Sequence, residues 1–295
     1  MASNLSDRTI PRRIFLALDV VFLLFIAAVT LYPIIYVVSM SFSDEVAAIQ
    51  NKVWLLPVNP TLEAYKNVFQ YPGLLRSYGN TIFYTIAGTA INIVFTMCAA
   101  YPLSRKRFKG RSVFSFLIVF TMLFNGGMIP SYLLVKNLHL LDTRWAILLP
   151  GAINTWNMII MRSFLQQLPE ELEEAAKIDG CGDLRLLLQI IIPLSIPSIA
   201  TITLFYAVAH WNSFFQAMIY LPRAKDLRPL QLILRDIVLQ NQTDSMITSA
   251  SQDVVGLSET IKYATIVVAV APILCVYPFI QKYFVAGVMV GAVKG

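Results

Sequence analysis

Charged residues are scarce in this chain. Asp, Glu, Lys and Arg make up 14% of its 295 residues, against about 25% in soluble domains. With 57% hydrophobic residues and a mean hydropathy of +0.66, a soluble fold is excluded and the chain reads as an integral membrane protein. Histidine is nearly missing, with only His139 and His210, the first in a loop. There is no His-Glu-x-x-His and no Gly-x-Ser-x-Gly, so an intramembrane enzyme has no catalytic constellation to use. No Gly-x-x-x-x-Gly-Lys-Ser/Thr loop is present either, so the chain is not itself an ATPase of the phosphate-loop type. Cys98, Cys181 and Cys275 form no close-spaced pair; packed free thiols are expected, without a zinc site or disulfide framework. The net charge of +6 is not a nucleic-acid signature, because membrane topology concentrates Lys and Arg on cytoplasmic loops.

What the chain has in quantity is long apolar runs. A membrane span needs roughly 20 apolar residues, which predicts six spans at about 14–40, 79–103, 113–135, 144–165, 194–221 and 260–281. The first is too long for a cleaved signal and has no small-residue cleavage site, so it is expected to be retained. Arg8, Arg12 and Arg13 precede span 1, and Arg105, Lys106, Arg107, Lys109 and Arg111 crowd the loop after span 2. Placing both groups inside puts the two termini and the 166–193 loop in the cytoplasm. The loops at 41–78 and 222–259 then lie outside.

The expected architecture is all-α, one domain of six transmembrane helices, because a lipid-spanning chain without barrel alternation must satisfy its backbone within helices. No low-complexity run or inverted repeat is visible, and six spans are few for a carrier acting alone. In the outer 227–240 segment, Leu230, Ile233, Leu234, Ile237 and Val238 follow helical spacing. Leu62, Tyr65, Val68 and Phe69 repeat the pattern more weakly. Either segment can lie on the membrane surface or dock an external partner. Residues 241–253 read as a mobile connection. Span 3 is interrupted by Asn125-Gly126-Gly127 and Pro130, either a packing kink or a broken helix lining a pathway.

The 166–193 loop is the most informative segment. Pro169, Glu170 and Glu171 read as a helix start, with proline in the first turn and acids complementing the dipole. Gly180 reads as its stop. Leu172, Ala175, Ala176 and Asp179 fall on one face, whose alanines let another surface approach closely. Asp183 is expected to cap a second helix that runs through Ile190 and Pro193 into span 5, making a rigid lever.

Here the sequence resembles a known family. Glu174-Ala175-Ala176, three residues, Gly180, nine residues, then Ile190 and Pro193 is similar to the signature loop of the membrane subunits of bacterial ABC importers. Ile192 stands where that family usually has Leu, and Cys181 where a small residue is common. Asp179 before Gly180, Trp211-Asn212-Ser213-Phe214 and the closing Gly287–Gly295 stretch resemble the carbohydrate branch, in particular the smaller maltose-importer permease. The resemblance implies a type I importer permease fold with a cytoplasmic coupling helix. It implies docking of Glu174, Ala175, Ala176, Asp179, Gly180, Ile190 and Pro193 to the ATPase, and of the tail residues Gly291, Ala292, Val293 and Lys294 to the interface between two ATPase subunits. It further implies a second homologous permease, two ATP-binding subunits carrying ATP and magnesium, and an extracytoplasmic solute-binding protein in the bacterial cytoplasmic membrane, with lipid around it. The chain itself carries no cofactor.

Candidate pathway residues are the polar and aromatic groups inside the spans: Asn125, Asn154 and Asn157, then Tyr206, Trp211, Asn212 and Phe215. Asn154 and Asn157 are expected to share a face, as are Trp211 and Phe215. Aromatic planes and amides suit a sugar, and interhelical packing uses the same residue types. Asp19 and His210 are expected at the interface and in packing or a gate, respectively. The sequence thus points to a permease for an oligosaccharide, acidic ones such as oligouronates included; the alternative is a stand-alone carrier or channel for a small polar solute.

Overall fold

The computed structural model describes residues 10–124, 126–247 and 259–275. Among these, every regular element is helical. The helices in chain order are α1 (Ile10–Phe42), α2 (Glu45–Ile49), α3 (Glu63–Gln70), α4 (Leu74–Ser104), α5 (Arg111–Leu123), α6 (Met128–Asn137) and α7 (Trp145–Leu148). They continue with α8 (Thr155–Leu165), α9 (Glu171–Ile178), α10 (Asp183–Leu186), a π-helical turn Leu187–Ile191, α11 (Ile192–Leu194) and α12 (Ile196–Trp211). Then follow α13 (Phe215–Tyr220), α14 (Leu230–Ile247) and α15 at 259–275.

Two of these helices are continuous, long and apolar enough to cross a bilayer, Ile14–Phe42 within α1 and Leu74–Ser104, which is α4. Two further candidates are bent pairs. The expected span 3 is α5 and α6, bent by more than 40° across a break. The expected span 4 divides into α7 and α8, since Pro150 and Gly151 interrupt it. Span 5 divides into α12 and α13, with Asn212 closing the first. The breaks in spans 3 and 4 have a local cause, because proline and glycine stop a helix whatever its hydropathy; the break in span 5, at Asn212-Ser213, contains neither. The segment 241–247, expected as a loose connection, continues α14.

The chain forms two compact units. In one, residues up to Tyr71 and 234–271, the end of α1 is tied to the segment after it. Ser39 Oγ donates to the Leu55 carbonyl at 2.7 Å, and Ser43 Oγ accepts from Val58 N–H at 3.1 Å. Ser41 and Tyr65 share a hydroxyl hydrogen bond of 2.8 Å. Met40, Ala47, Ala48 and Val53 form the core there, with Tyr36 meeting Tyr263 edge-on.

The other unit, residues 72–233 and 272–275 among those described, is built on α4. Its buried face carries Ser77, Thr81, Gly88, Asn92, Thr96 and Ala100 at helical spacing. Small and weakly polar residues suit a membrane helix interface, where close backbone approach replaces the hydrophobic drive. α8 and α12 pack on this face, closing a core of Met97, Ala100, Met158, Met161, Leu165, Ile202 and Tyr206. A second core around Tyr84, Ile147, Leu148, Tyr220 and Leu232 closes the opposite end of α4.

Candidate functional site

The helix α9 is short, and local chemistry defines both its ends. Glu171, Glu173 and Glu174 lie in its first turn, where carboxylates face the positive end of the dipole. Pro169 sits before the N-cap residue Glu170 rather than in the first turn. At the other end Gly180 takes φ +75°, Cys181 N–H bonds the Ala176 carbonyl at 2.9 Å, and Gly180 N–H bonds Lys177 at 3.0 Å. That pair of bonds is a Schellman cap, which needs a left-handed residue at Gly180.

Of the face expected to meet another surface, Leu172, Ala175 and Asp179 are exposed but Ala176 is not. Glu173 and Ala176 are buried, while Leu172, Glu174, Ala175 and Asp179 are exposed and Ile178 is 87% exposed. The two alanines therefore part company: Ala176 joins the core with Leu165, Leu186 and Ile191, and Ala175 faces out.

Behind α9 stands a clamp that sequence reasoning missed. Arg105, just after α4, meets Glu173 with Nε to Oε1 at 2.5 Å, both side chains under a tenth exposed. The Arg105 guanidinium lies 5.3 Å from the Tyr101 ring centroid, and Tyr101 OH reaches Glu173 at 3.5 Å. Lys106 pairs with Glu170 at 3.2 Å and Arg107 with Asp183 at 2.7 Å, both in the open. The hydrogen bond to Asp183 raises the already high Arg107 pKa. Three cations assigned to topology, Arg105, Lys106 and Arg107, thus hold three of the six acids of the 170–183 segment. Their complementary charges were the available signal.

Asp183 is not a cap; Gly182 is the N-cap residue, and Asp183 occupies the first turn of α10. Nor does the second helix run rigidly into span 5. Asp183–Leu194 and Ile196–Trp211 are bent by 82°, with Ser195 buried at the corner and its N–H bonding Ile191 and Ile192 carbonyls at 3.0 Å. Pro193 has no N–H and its ring crowds the carbonyl four residues back, which accounts for the π-helical turn at Leu187–Ile191. Ile190 is half-buried against the core and Pro193 is exposed.

The pathway candidates separate into two groups. Tyr206 OH accepts from Asn154 N–H at 3.0 Å and bonds Thr96 Oγ1 at 2.8 Å. Asn154 is the N-cap of α8, its Oδ1 accepting from the buried Asn157 N–H at 3.1 Å. Asn154 therefore precedes the helix on which Asn157 lies, instead of sharing a helical face with it. Asn92 Nδ2 donates to the Gly151 and Ala152 carbonyls at 2.6 and 2.9 Å. Its Oδ1 then faces His210 Nε2 at 2.6 Å, which fixes the Nε2–H tautomer of that histidine. These groups satisfy the backbone freed where span 4 breaks, as an apolar surround requires. The second group lies at the break after α12. Trp211 is half-buried, and Asn212 and Phe215 are exposed. Trp211 ends α12 and Phe215 starts α13, so they do not share one helical face. Asn125 and Gly291 to Lys294 lie outside the described residues.

Comparison with known proteins gives the family. The sequence pattern described as "Binding-protein-dependent transport system inner membrane component" matches residues 92–290. "Protein LplC" of Bacillus subtilis is 46% identical over 283 residues, covering 96% of both chains. The "polygalacturonan/rhamnogalacturonan transport system permease protein YtcP" of the same organism is 44% identical, over 93% of this chain and 96% of its own. A chain in the crystal structure of a bacterial ABC transporter involved in import of the acidic polysaccharide alginate superposes with a TM-score of 0.82. It is 41% identical and covers 94% of this chain and 98% of its own. This multi-pass membrane protein belongs to the family of binding-protein-dependent transport system inner membrane components, the permeases of ABC importers.

Proposed function

We propose that the chain is one of two permeases in an ATP-driven importer of oligosaccharides, acidic ones included, in a bacterial cytoplasmic membrane. Two ATPase subunits carry ATP and magnesium, and an extracytoplasmic binding protein delivers the substrate. The named roles of two relatives, import of alginate and of polygalacturonan or rhamnogalacturonan, support the acidic class. The observation that carries the coupling assignment is α9 itself: a capped helix clamped from behind, presenting Leu172, Glu174, Ala175 and Ile178 to a partner. Asp179 and Gly180 end that surface, and the tail residues 291–294 add a second contact with the ATPases. Six spans, a cytoplasmic α9 and cytoplasmic termini belong to the same proposal.

On this reading, closure of the ATPases pulls α9. The pull reaches α4 through Glu173 and Arg105, and α8 and α12 through Ala176, Leu186 and Ile191. That bundle rocks against the second permease and exposes a cavity alternately to each side. Asn212 and Phe215, both exposed beside the half-buried Trp211, are the better candidates for sugar contact, whereas Tyr206, Asn154 and the Asn157 N–H hold the broken span together.

The experiment is uptake of a labelled oligogalacturonate by proteoliposomes containing the whole importer and its binding protein. ATP inside should drive uptake, and Glu174→Lys should abolish it with the complex still inserted. Uptake driven by an ion gradient without ATPase subunits would falsify the assignment. Uptake of neutral oligosaccharides alone would remove the acidic substrate and leave the importer.

A further inference from the structure

Beside the clamp lies a cavity of about 670 Å³. Arg105, Arg107 and Lys109 line it with one acid, Asp183, which Arg107 already holds at 2.7 Å. Glu173 already holds Arg105 and Asp183 holds Arg107, so Lys109 is the lining cation left without an acid among the described residues. Arg105 is 5% exposed, its Nε is engaged by Glu173, and its Nη2 is buried with no hydrogen-bond partner among the described residues. Buried donors are nearly always paired, so this guanidinium calls for an acceptor that the chain does not supply.

The remaining lining narrows the class of acceptor. Phe108, Leu184 and Leu187 face the same cavity, and Leu184 is 70% exposed. A bare phosphate or nucleotide would leave those apolar surfaces wet. An anion with an attached hydrocarbon body would cover them. The place in the fold agrees: α4 spans 31 residues, about 46 Å, against about 30 Å of hydrocarbon, so its last turn reaches headgroup level.

We propose that this cavity binds the phosphodiester headgroup of an anionic phospholipid. Arg105, Arg107 and Lys109 take the phosphate, and the glycerol and first acyl carbons run along Phe108, Leu184 and Leu187. Because Arg105 and Arg107 also belong to the clamp, the lipid stiffens the seat of α9. The placement in the inner leaflet rests on the orientation proposed above.

The test uses the assembled importer, both permeases with both ATPase subunits, in detergent. Native mass spectrometry reads retention of added phosphatidylglycerol and phosphatidylcholine. Phosphatidylglycerol should be retained selectively, and Lys109→Gln, outside the clamp, should weaken retention about fivefold, the worth of one basic residue at an anionic surface. Leu184→Ser should weaken it too without touching any ion pair. Equal retention of the two lipids, or unchanged retention in both variants, overturns the proposal. Displacement of the lipid by millimolar inorganic phosphate would reveal a plain anion site and overturns it as well. So does lipid binding to the permease pair that vanishes in the assembled complex, since a protein partner then fills the cavity. Sidedness is read separately, with a membrane-impermeant thiol reagent on Lys109→Cys in a variant lacking Cys98, Cys181 and Cys275. Labelling from outside would sink the orientation and leave headgroup binding standing.

Discussion

Removing Glu173 should detach α9 from its seat. Its partner Arg105 is 5% exposed and has no other acid within ion-pair distance among the described residues. Breaking a buried pair by deleting one member costs about 3–5 kcal/mol, because the other charge stays buried and alone. The exposed pairs Lys106–Glu170 and Arg107–Asp183 are each worth about 0–1 kcal/mol, too little to compensate. At about 1.4 kcal/mol per tenfold, Glu173→Ala should raise the opening equilibrium of α9 by roughly two to three orders of magnitude. Amide hydrogen exchange over residues 173–180, in the permease pair without ATPases, reads that number directly. A buried pair replaced by apolar residues of similar size is often neutral, so Arg105→Met with Glu173→Leu should recover most of the protection. If α9 amides in Glu173→Ala exchange within about threefold of the unaltered protein, Arg105 does not hold this helix. If the double variant is as loose as the single, the loss was not one of unpaired charge.

Gly180→Val should cost about 1–2 kcal/mol in the left-handed conformation and abolish uptake, while Gly180→Asn, which tolerates that conformation, should retain most of it. No atom lies within 4 Å of a Cβ added at Gly180, so equal damage from both would point to a contact with the ATPase. A Cβ on Gly88 would sit 2.5 Å from His210 Cε1 and Nε2; Gly88→Ala should destabilise by about 1–3 kcal/mol in thermal unfolding of the solubilised complex. His210→Ala added to it should restore part of the loss. Asn92→Ala leaves the Gly151 and Ala152 carbonyls unpaired at about 1–3 kcal/mol each, and faster hydrogen exchange at residues 151–157 should report it. Leu186, fully buried in the core beneath α9, should cost about 2–5 kcal/mol as Ala and uncouple ATP hydrolysis from uptake; tight coupling in that variant would mean the pull bypasses the core.

Some of this was legible in the sequence because the chemistry is local. Gly180 stops α9 through its own backbone, and the acids of the first turn mark its start. The spacing of Leu230, Ile233, Leu234 and Ile237 likewise foretells the buried side of α14. What escaped was of two kinds. Hydropathy averages over a window, so spans 4 and 5 read as continuous although Pro150-Gly151 and Asn212-Ser213 break them. Long-range pairing was also hidden, since a carboxylate on a short polar helix is normally taken to face water. Glu173 faces inward only because Arg105, far away in sequence, meets it there. The docking face of α9 was therefore drawn through both alanines, and Ala176 is buried instead.

On the coupling role proposed for α9, the corner at Ser195 changes how force is transmitted. A straight helix from α9 to α12 would have passed a pull along its axis through backbone hydrogen bonds. The structure instead has two helical segments bent by 82°, with Pro193 removing a donor just before the bend. A bend with a missing bond is a poor rod, so the load must go sideways. It has two routes: the buried Glu173–Arg105 pair to α4, and the packing of Ala176, Leu186 and Ile191 on α8 and α12. Both end in the same bundle, because α4, α8 and α12 share one core. The bundle therefore moves together or the coupling fails, which is why single substitutions behind α9 should uncouple transport as thoroughly as those on its exposed face.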